Sequence, residues 1–301
     1  SGFIISLVKD NKPVRVTLTD GNSFSFDDIE LNRGNNRIEV RAVSPEGEMS
    51  VLQAMSIVYA KPAPAYLATS LSRGPVNEKK VALTFDGGAS NNAAEAILDT
   101  LARYGVTSTF FLTGRFMRTY PDLVRRITGE GHEVGNHTWT HPHLTTYAEN
   151  RKHQTLAGVD RDMVREELDK TARLLKTLTG TRMAGLWRAP FGEYNSEILD
   201  WAAAEGYRHI GWTIGQGWEN NMDTMDWVAD TSSSIYHTAE EIASKVVNFG
   251  RGTGNGAAGA VILMHLGTNR ADDFPHLKLG TMIRGLRERG YEIVPAGEFS
   301  R

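Results

Sequence analysis

The chain has 301 residues, 33 lysines plus arginines against 36 aspartates plus glutamates, a formal charge of −3, and no cysteine. Disulfides, thiolate metal sites and cysteine nucleophiles are therefore excluded, and the near-neutral balance carries no electrostatic footprint for nucleic acid or an anionic membrane. With 40% apolar residues the chain can bury a substantial core, its length suits one large or two ordinary domains, and no apolar run approaches the ~20 residues of a transmembrane segment.

The sequence opens at Ser1-Gly2 without an initiator methionine, compatible with a removed export signal. Over residues 1–60 the pattern predicts short strands only, at 3–8, 14–18, 23–26, 37–42 and 51–59. Turn signals separate them at Asp20-Gly21-Asn22, Arg33-Gly34-Asn35-Asn36 and Pro45-Glu46-Gly47. The block is similar to the small immunoglobulin-like or fibronectin-like β-sandwich modules of bacterial wall enzymes. Sixty residues is short for such a module, so a truncated sandwich is expected. Residues 61–79, rich in proline, alanine and serine, lack periodicity and read as a linker.

Strands and helices then alternate over 80–301. Strands are predicted at 81–85, 106–112, 133–136, 185–188, 208–214, 261–264 and 291–294. Helices are predicted at 92–104, 121–128, 162–178, 196–205, 238–249 and 276–289, with Thr238 and Glu241 forming a capping box. This order implies an α/β domain with a mainly parallel sheet, open or closed into a barrel. Function is then expected just beyond the strand C-termini.

Polar residues collect at those ends. Asp86 follows the first strand, His137 and His141 follow the third, Arg188 the fourth, Asp223 and Asp226 the fifth, and His265 the sixth. Each alone has a structural explanation, as a cap, an ion-pair partner or a hydrogen-bonded histidine. An acid, an arginine, a histidine pair and a separate histidine at one mouth together suit metal-assisted hydrolysis.

Thr84-Phe85-Asp86-Gly87-Gly88, His137-Thr138-Trp139-Thr140-His141, Arg188-Ala189-Pro190-Phe191-Gly192, Asp223-Thr224-Met225-Asp226-Trp227 and Leu263-Met264-His265 occur in the order and approximate spacing of five known motifs. The sequence resembles the polysaccharide deacetylases, carbohydrate esterases of family 4 with a NodB-homology domain, from about Lys80 to the C-terminus. The resemblance implies a distorted (β/α) barrel and removal of acetyl groups from N-acetyl-hexosamine units of a cell-wall or exported polysaccharide. A secreted, periplasmic or envelope location goes with it. Asp86 matches the general base, Arg188 the residue orienting it, and His265 the general acid. Asp226, with Asp223 as the alternative, would support that imidazole. The Phe191 N–H would help hold the oxyanion, and Trp227 and Leu263 match the walls of the acetyl-methyl pocket.

His137 and His141 match two metal-binding imidazoles. Imidazole with oxygen donors suits zinc foremost, with cobalt, nickel or iron also accommodated. The family's first motif usually reads Thr-Phe-Asp-Asp-Gly, its second aspartate completing the metal triad, and here that position is Gly87. A third ligand would have to be water, Asp86, His143, Asp160 or Glu193. Trp139, Trp212 and Trp218 are candidates for a sugar-stacking platform. Two alternatives stay open: a catalytically impaired glycan-binding module, and a metal-independent NodB-like hydrolase of small amides.

Overall fold

The computed structural model describes residues 2–19, 23–29, 31, 34–59 and 63–300. The chain divides into two compact units, residues 1–62 and 63–301.

In the first unit β1 (Phe3–Lys9), β2 (Lys12–Thr19), β3 (Gly34–Val43) and β4 (Met49–Tyr59) form one antiparallel sheet in the order β2-β1-β3-β4. The β1–β2 turn places Asp10 and Asn11 at φ 48° and 66°, the left-handed pair that a two-residue hairpin requires and that these residue types tolerate. The predicted turn at Pro45-Glu46-Gly47 connects β3 to β4, with Gly47 at φ 90°. Residues 23–26, expected as a strand, join no ladder; Phe24 packs edge-on against Phe26 instead. The described strands therefore make a single sheet instead of two layers. The turn signals at Asp20-Gly21-Asn22 and at Arg33 lie outside the described residues.

The second unit is an incompletely closed (β/α) barrel. Its strands are β5 (Ser70–Leu71), β6 (Lys80–Gly87), β7 (Thr109–Leu112), β8 (Glu133–Asn136), β9 (Leu186–Trp187), β10 (Arg208–Ile210), β11 (Val261–His265) and β12 (Glu292–Ile293). They run in the order β11-β6-β7-β8-β9-β10-β5, with β12 added beside the start of β6. Every one of these pairings is parallel. Part of the expected linker is thus barrel wall: β5 pairs with β10, because Leu71 is apolar enough to be buried there.

The helices are α1 (Ala94–Tyr104), α2 (Gly114–Thr119), α3 (Pro121–Gly129), a single turn α4 (Tyr147–Asn150), α5 (Arg161–Thr179), α6 (Ser196–Ala204), α7 (Ala239–Asn248) and α8 (Leu279–Glu288). Their apolar stripes face the sheet. In α1, Ala94, Ile97, Leu98 and Leu101 are buried, and the helix stops at Gly105 in the left-handed region. The capping box at the start of α7 forms as the sequence predicts. The strand expected over 208–214 ends at Ile210, because the carbonyls of Ile210 and Gly211 turn to accept from Arg188.

Candidate active site

Asp86 and His265 are register partners on β6 and β11, so their side chains leave adjacent strands on the same side. They open into a cleft of about 440 Å³ that His137, His141, Phe191, Trp227 and Leu263 also line.

Arg188 is fully buried. Its guanidinium donates to Asp86 Oδ1 at 2.7 Å, Thr84 Oγ1 at 3.0 Å, Gly211 O at 2.9 Å and Ile210 O at 2.9 Å, and it lies over the Phe111 ring. Every one of those partners is fixed by barrel backbone, so Arg188 pins one carboxylate oxygen and leaves Asp86 Oδ2 for the cleft. Burial pushes the Asp86 carboxyl up, but Arg188, with His137 and His265, outweighs it and holds the group below the usual carboxylate range.

The His137 Nδ1–H donates to the Arg188 carbonyl at 2.9 Å, so its Nε2 faces Asp86 Oδ2 at 3.6 Å. Two acceptors that face one another call for a hydrogen or a cation between them. The His141 ring meets His137 edge-on at 4.8 Å. Burial, then the neighbouring His137, pushes His141 down to about 3, so both imidazole lone pairs are free at neutral pH.

His265 is held by Asp226. Nδ1–H donates to Oδ1 at 2.7 Å and the backbone N–H to Oδ2 at 2.8 Å, leaving Nε2 for the cleft. Burial disfavours the imidazolium, yet Asp226 outweighs it and raises His265 to about 9. Asp223 lines the same cleft but accepts from the Met225 N–H instead of binding His265. Burial pushes its carboxyl up.

Four non-glycine residues around the cleft adopt left-handed backbone: Thr138 at φ 66°, His141 at 60°, Phe191 at 58° and Met225 at 54°. Such conformations cost about 1–3 kcal/mol each and persist where the surroundings impose them. At Phe191 the turn leaves the residue 55% exposed at the cleft mouth. Its N–H has no hydrogen-bond acceptor among the described residues.

Sequence reasoning missed the groups that hold the loop between the two histidines. Glu167, from α5, accepts from the Trp139 N–H at 2.7 Å, the Thr140 N–H at 2.8 Å and the Thr140 hydroxyl at 2.9 Å, clamping the loop between the two histidines. Asn136 accepts from the Thr138 N–H and donates to Leu168 O. We predict that Glu167→Ala weakens the binding of added zinc to His137 and His141 about 10- to 100-fold by loosening the loop between them; a zinc affinity that matches wild type in calorimetry would contradict this clamp.

The residues do not complete a three-ligand metal centre. Among the described residues no three histidine, aspartate or glutamate side chains converge on a point where an ion could sit. A Cβ at Gly87 would lie 2.7 Å from Leu112 Cδ2 and 3.2 Å from both Leu266 Cδ1 and Phe116 Cδ1, so the family's carboxylate position is filled by apolar packing. The other candidates are engaged elsewhere. His143 Nδ1 pairs with Glu193 Oε1 at 2.8 Å, and its ring stacks on Phe191. Glu193 is buried and accepts from the Leu144 and Thr145 N–H groups, and Asp160 caps α5.

Two of the three expected platform tryptophans are also committed to packing. Trp139 lies flat over Gly114, where a Cβ would come within 2.0 Å of the ring, and Lys170 sits 4.5 Å above its centroid. Trp218 stacks on His237. Trp212 lines the cleft, but the exposed aromatic faces at its mouth are Phe191 and Trp227, the latter 45% exposed.

A parallel barrel with a buried carboxylate–arginine pair facing a carboxylate-supported histidine has the architecture of the NodB-type domains. Residues 73–210 match the polysaccharide deacetylase family. The chain is 34% identical to a peptidoglycan-N-acetylglucosamine deacetylase of Bacillus cereus, over 64% of this chain and 58% of that one. It is 28% identical to a chitooligosaccharide deacetylase of Bradyrhizobium, over 72% and 89%. The crystal structure of the Bc1960 peptidoglycan N-acetylglucosamine deacetylase superposes with a TM-score of 0.61 at 30% identity, covering 78% of this chain and 93% of that one. The chain belongs to the polysaccharide deacetylase family, the family 4 carbohydrate esterases.

Proposed function

We propose that this chain hydrolyses the acetamido group of N-acetyl-hexosamine units in an envelope or exported polysaccharide. The observation that carries the reading is the pairing, across one cleft, of Asp86 held by Arg188 with His265 held by Asp226. Asp86 stays ionised, and its free oxygen takes a proton from water as the water oxygen bonds to the acetyl carbon. The Phe191 N–H is aimed at the oxyanion that develops. His265 Nε2–H gives a proton to the sugar nitrogen as the C–N bond breaks, releasing acetate and a free amine. Leu263 and Trp227 wall the acetyl methyl, and the Trp227 and Phe191 faces suit pyranose rings.

No step is assigned to a metal ion, because Gly87 stands where the family's ligating carboxylate would be and the described side chains complete no three-ligand site. An added ion, zinc or another divalent metal, would find His137 and His141. Relatives named for peptidoglycan support an envelope polymer as substrate and an envelope location. No helix among the described residues is long and apolar enough to cross a membrane.

The test is appearance of free amine in acetylated peptidoglycan and N-acetylglucosamine oligomers, with and without chelator. The reading expects amine from at least one polymer; saturable glycan binding with no amine under either condition would leave a binding module in its place.

His265 also sets the pH dependence. A general acid works protonated, so with its value at about 9 it is competent throughout the neutral range. Asp226→Asn removes the supporting charge, and the imidazole is expected to fall toward its ordinary value of about 6.5. The alkaline limb of kcat/KM then moves down, and activity at neutral pH is lost before activity in acid. A limb that stays in place would show that His265 is not the acid.

A further inference from the structure

Lys245 on α7 is buried, at 3% exposure, and the acid–base chemistry does not use it. Its ammonium donates to the carbonyls of Asn221 and Asp223, each at 2.8 Å, and sits 3.0 Å from the centroid of the Trp218 ring. The His237 ring lies parallel to Trp218 at 3.5 Å. An ammonium and an imidazole that close must occupy opposite faces, so Trp218 is sandwiched between them.

The two carbonyls explain why a cation is there. Residues 222–224 run beside β11 at the barrel seam: Leu263 N–H donates to Met222 O, Thr224 N–H to Leu263 O, and Asp223 faces Leu263 as a parallel bridge partner. Alternate carbonyls therefore point away from β11, where no further strand continues the sheet among the described residues. Buried carbonyls need donors. Lys245 supplies both from one atom, standing in for the missing strand.

We infer that Lys245 is a positioning residue: it fixes residues 221–223 so that Asp226, three residues on, meets His265. The cation–aromatic contact with Trp218 holds the ammonium in a site where burial pushes it down to about 7. The inference rests on the deacetylase reading for its kinetic arm only.

The chain has no cysteine, so Lys245→Cys can be alkylated at a single site in the unfolded state and refolded, with wild type taken through the same cycle. Lys245→Cys is expected to lose about 100-fold in kcat with KM unchanged, as a misplaced catalytic group does. Aminoethylation, which rebuilds a lysine-like ammonium, restores most of it; the neutral carboxamidomethyl adduct does not. In parallel, the downfield His265 Nδ1–H resonance should disappear in Lys245→Cys and return on aminoethylation. That readout needs no turnover, so a wild type without activity would sink the deacetylase reading and leave this one standing or falling by itself. Wild-type kcat and resonance in Lys245→Cys, or equal recovery by both adducts, would overturn the inference. Should Lys245→Cys not refold, Trp218→Leu carries the test, with about a tenfold fall in kcat expected at unchanged KM and an unchanged kcat contradicting it.

Discussion

Asp86→Asn reduces acetate release by about a thousandfold, within the range that a positioned base contributes. The amide keeps a carbonyl for Arg188 but cannot take a proton from water. It also leaves a fully buried guanidinium without a counter-charge. Breaking such a pair by removing one partner typically costs about 3–5 kcal/mol, so the urea midpoint falls together with turnover. Activity kept above a tenth of wild type in a folded Asp86→Asn protein would remove Asp86 from the mechanism.

Arg188→Met produces the second large loss, and for the reciprocal reason. The thioether approximates the volume of the side-chain stem but makes none of the four hydrogen bonds to Asp86, Thr84, Ile210 and Gly211. Asp86 then remains buried without its main counter-charge, so its carboxyl rises and is no longer held as a base. The Ile210 and Gly211 carbonyls, which the arginine drew out of the β10 ladder, lose their donor. Stability should fall by about 3–5 kcal/mol, and acetate release should drop at least as far as in Asp86→Asn. A urea midpoint within experimental error of wild type would contradict the account of Arg188 as the brace of the barrel mouth.

Much of the barrel was legible because its signals are local. Ile97, Leu98 and Leu101 repeat at helical spacing, Gly105 terminates α1, and Thr238 with Glu241 caps α7 within four residues of sequence. The site was legible through residue type at strand ends, where Asp86, Arg188 and His265 stand. What the sequence hid is long-range. Glu167 reaches back to Trp139 and Thr140, and Lys245 reaches back to Asn221 and Asp223, with no sequence pattern linking either pair. Trp218 reads as an exposed sugar platform until its faces are seen to be taken by Lys245 and His237. Ser70 and Leu71 lie in a proline- and serine-rich stretch, and two residues are too few to show strand alternation. Gly87 shows the same limit. Its identity marks a missing carboxylate, but only the positions of Leu112, Leu266 and Phe116 show what fills the space.

The most direct measurement of the central claim is mass spectrometry of the products formed from an acetylated N-acetylglucosamine polymer in heavy-oxygen water. The mechanism predicts acetate carrying a single heavy oxygen, free amine in equal amount, and about a thousandfold less of both with Asp86→Asn. Acetate without heavy oxygen, or a polymer that binds saturably in the cleft and keeps every acetyl group, would contradict it.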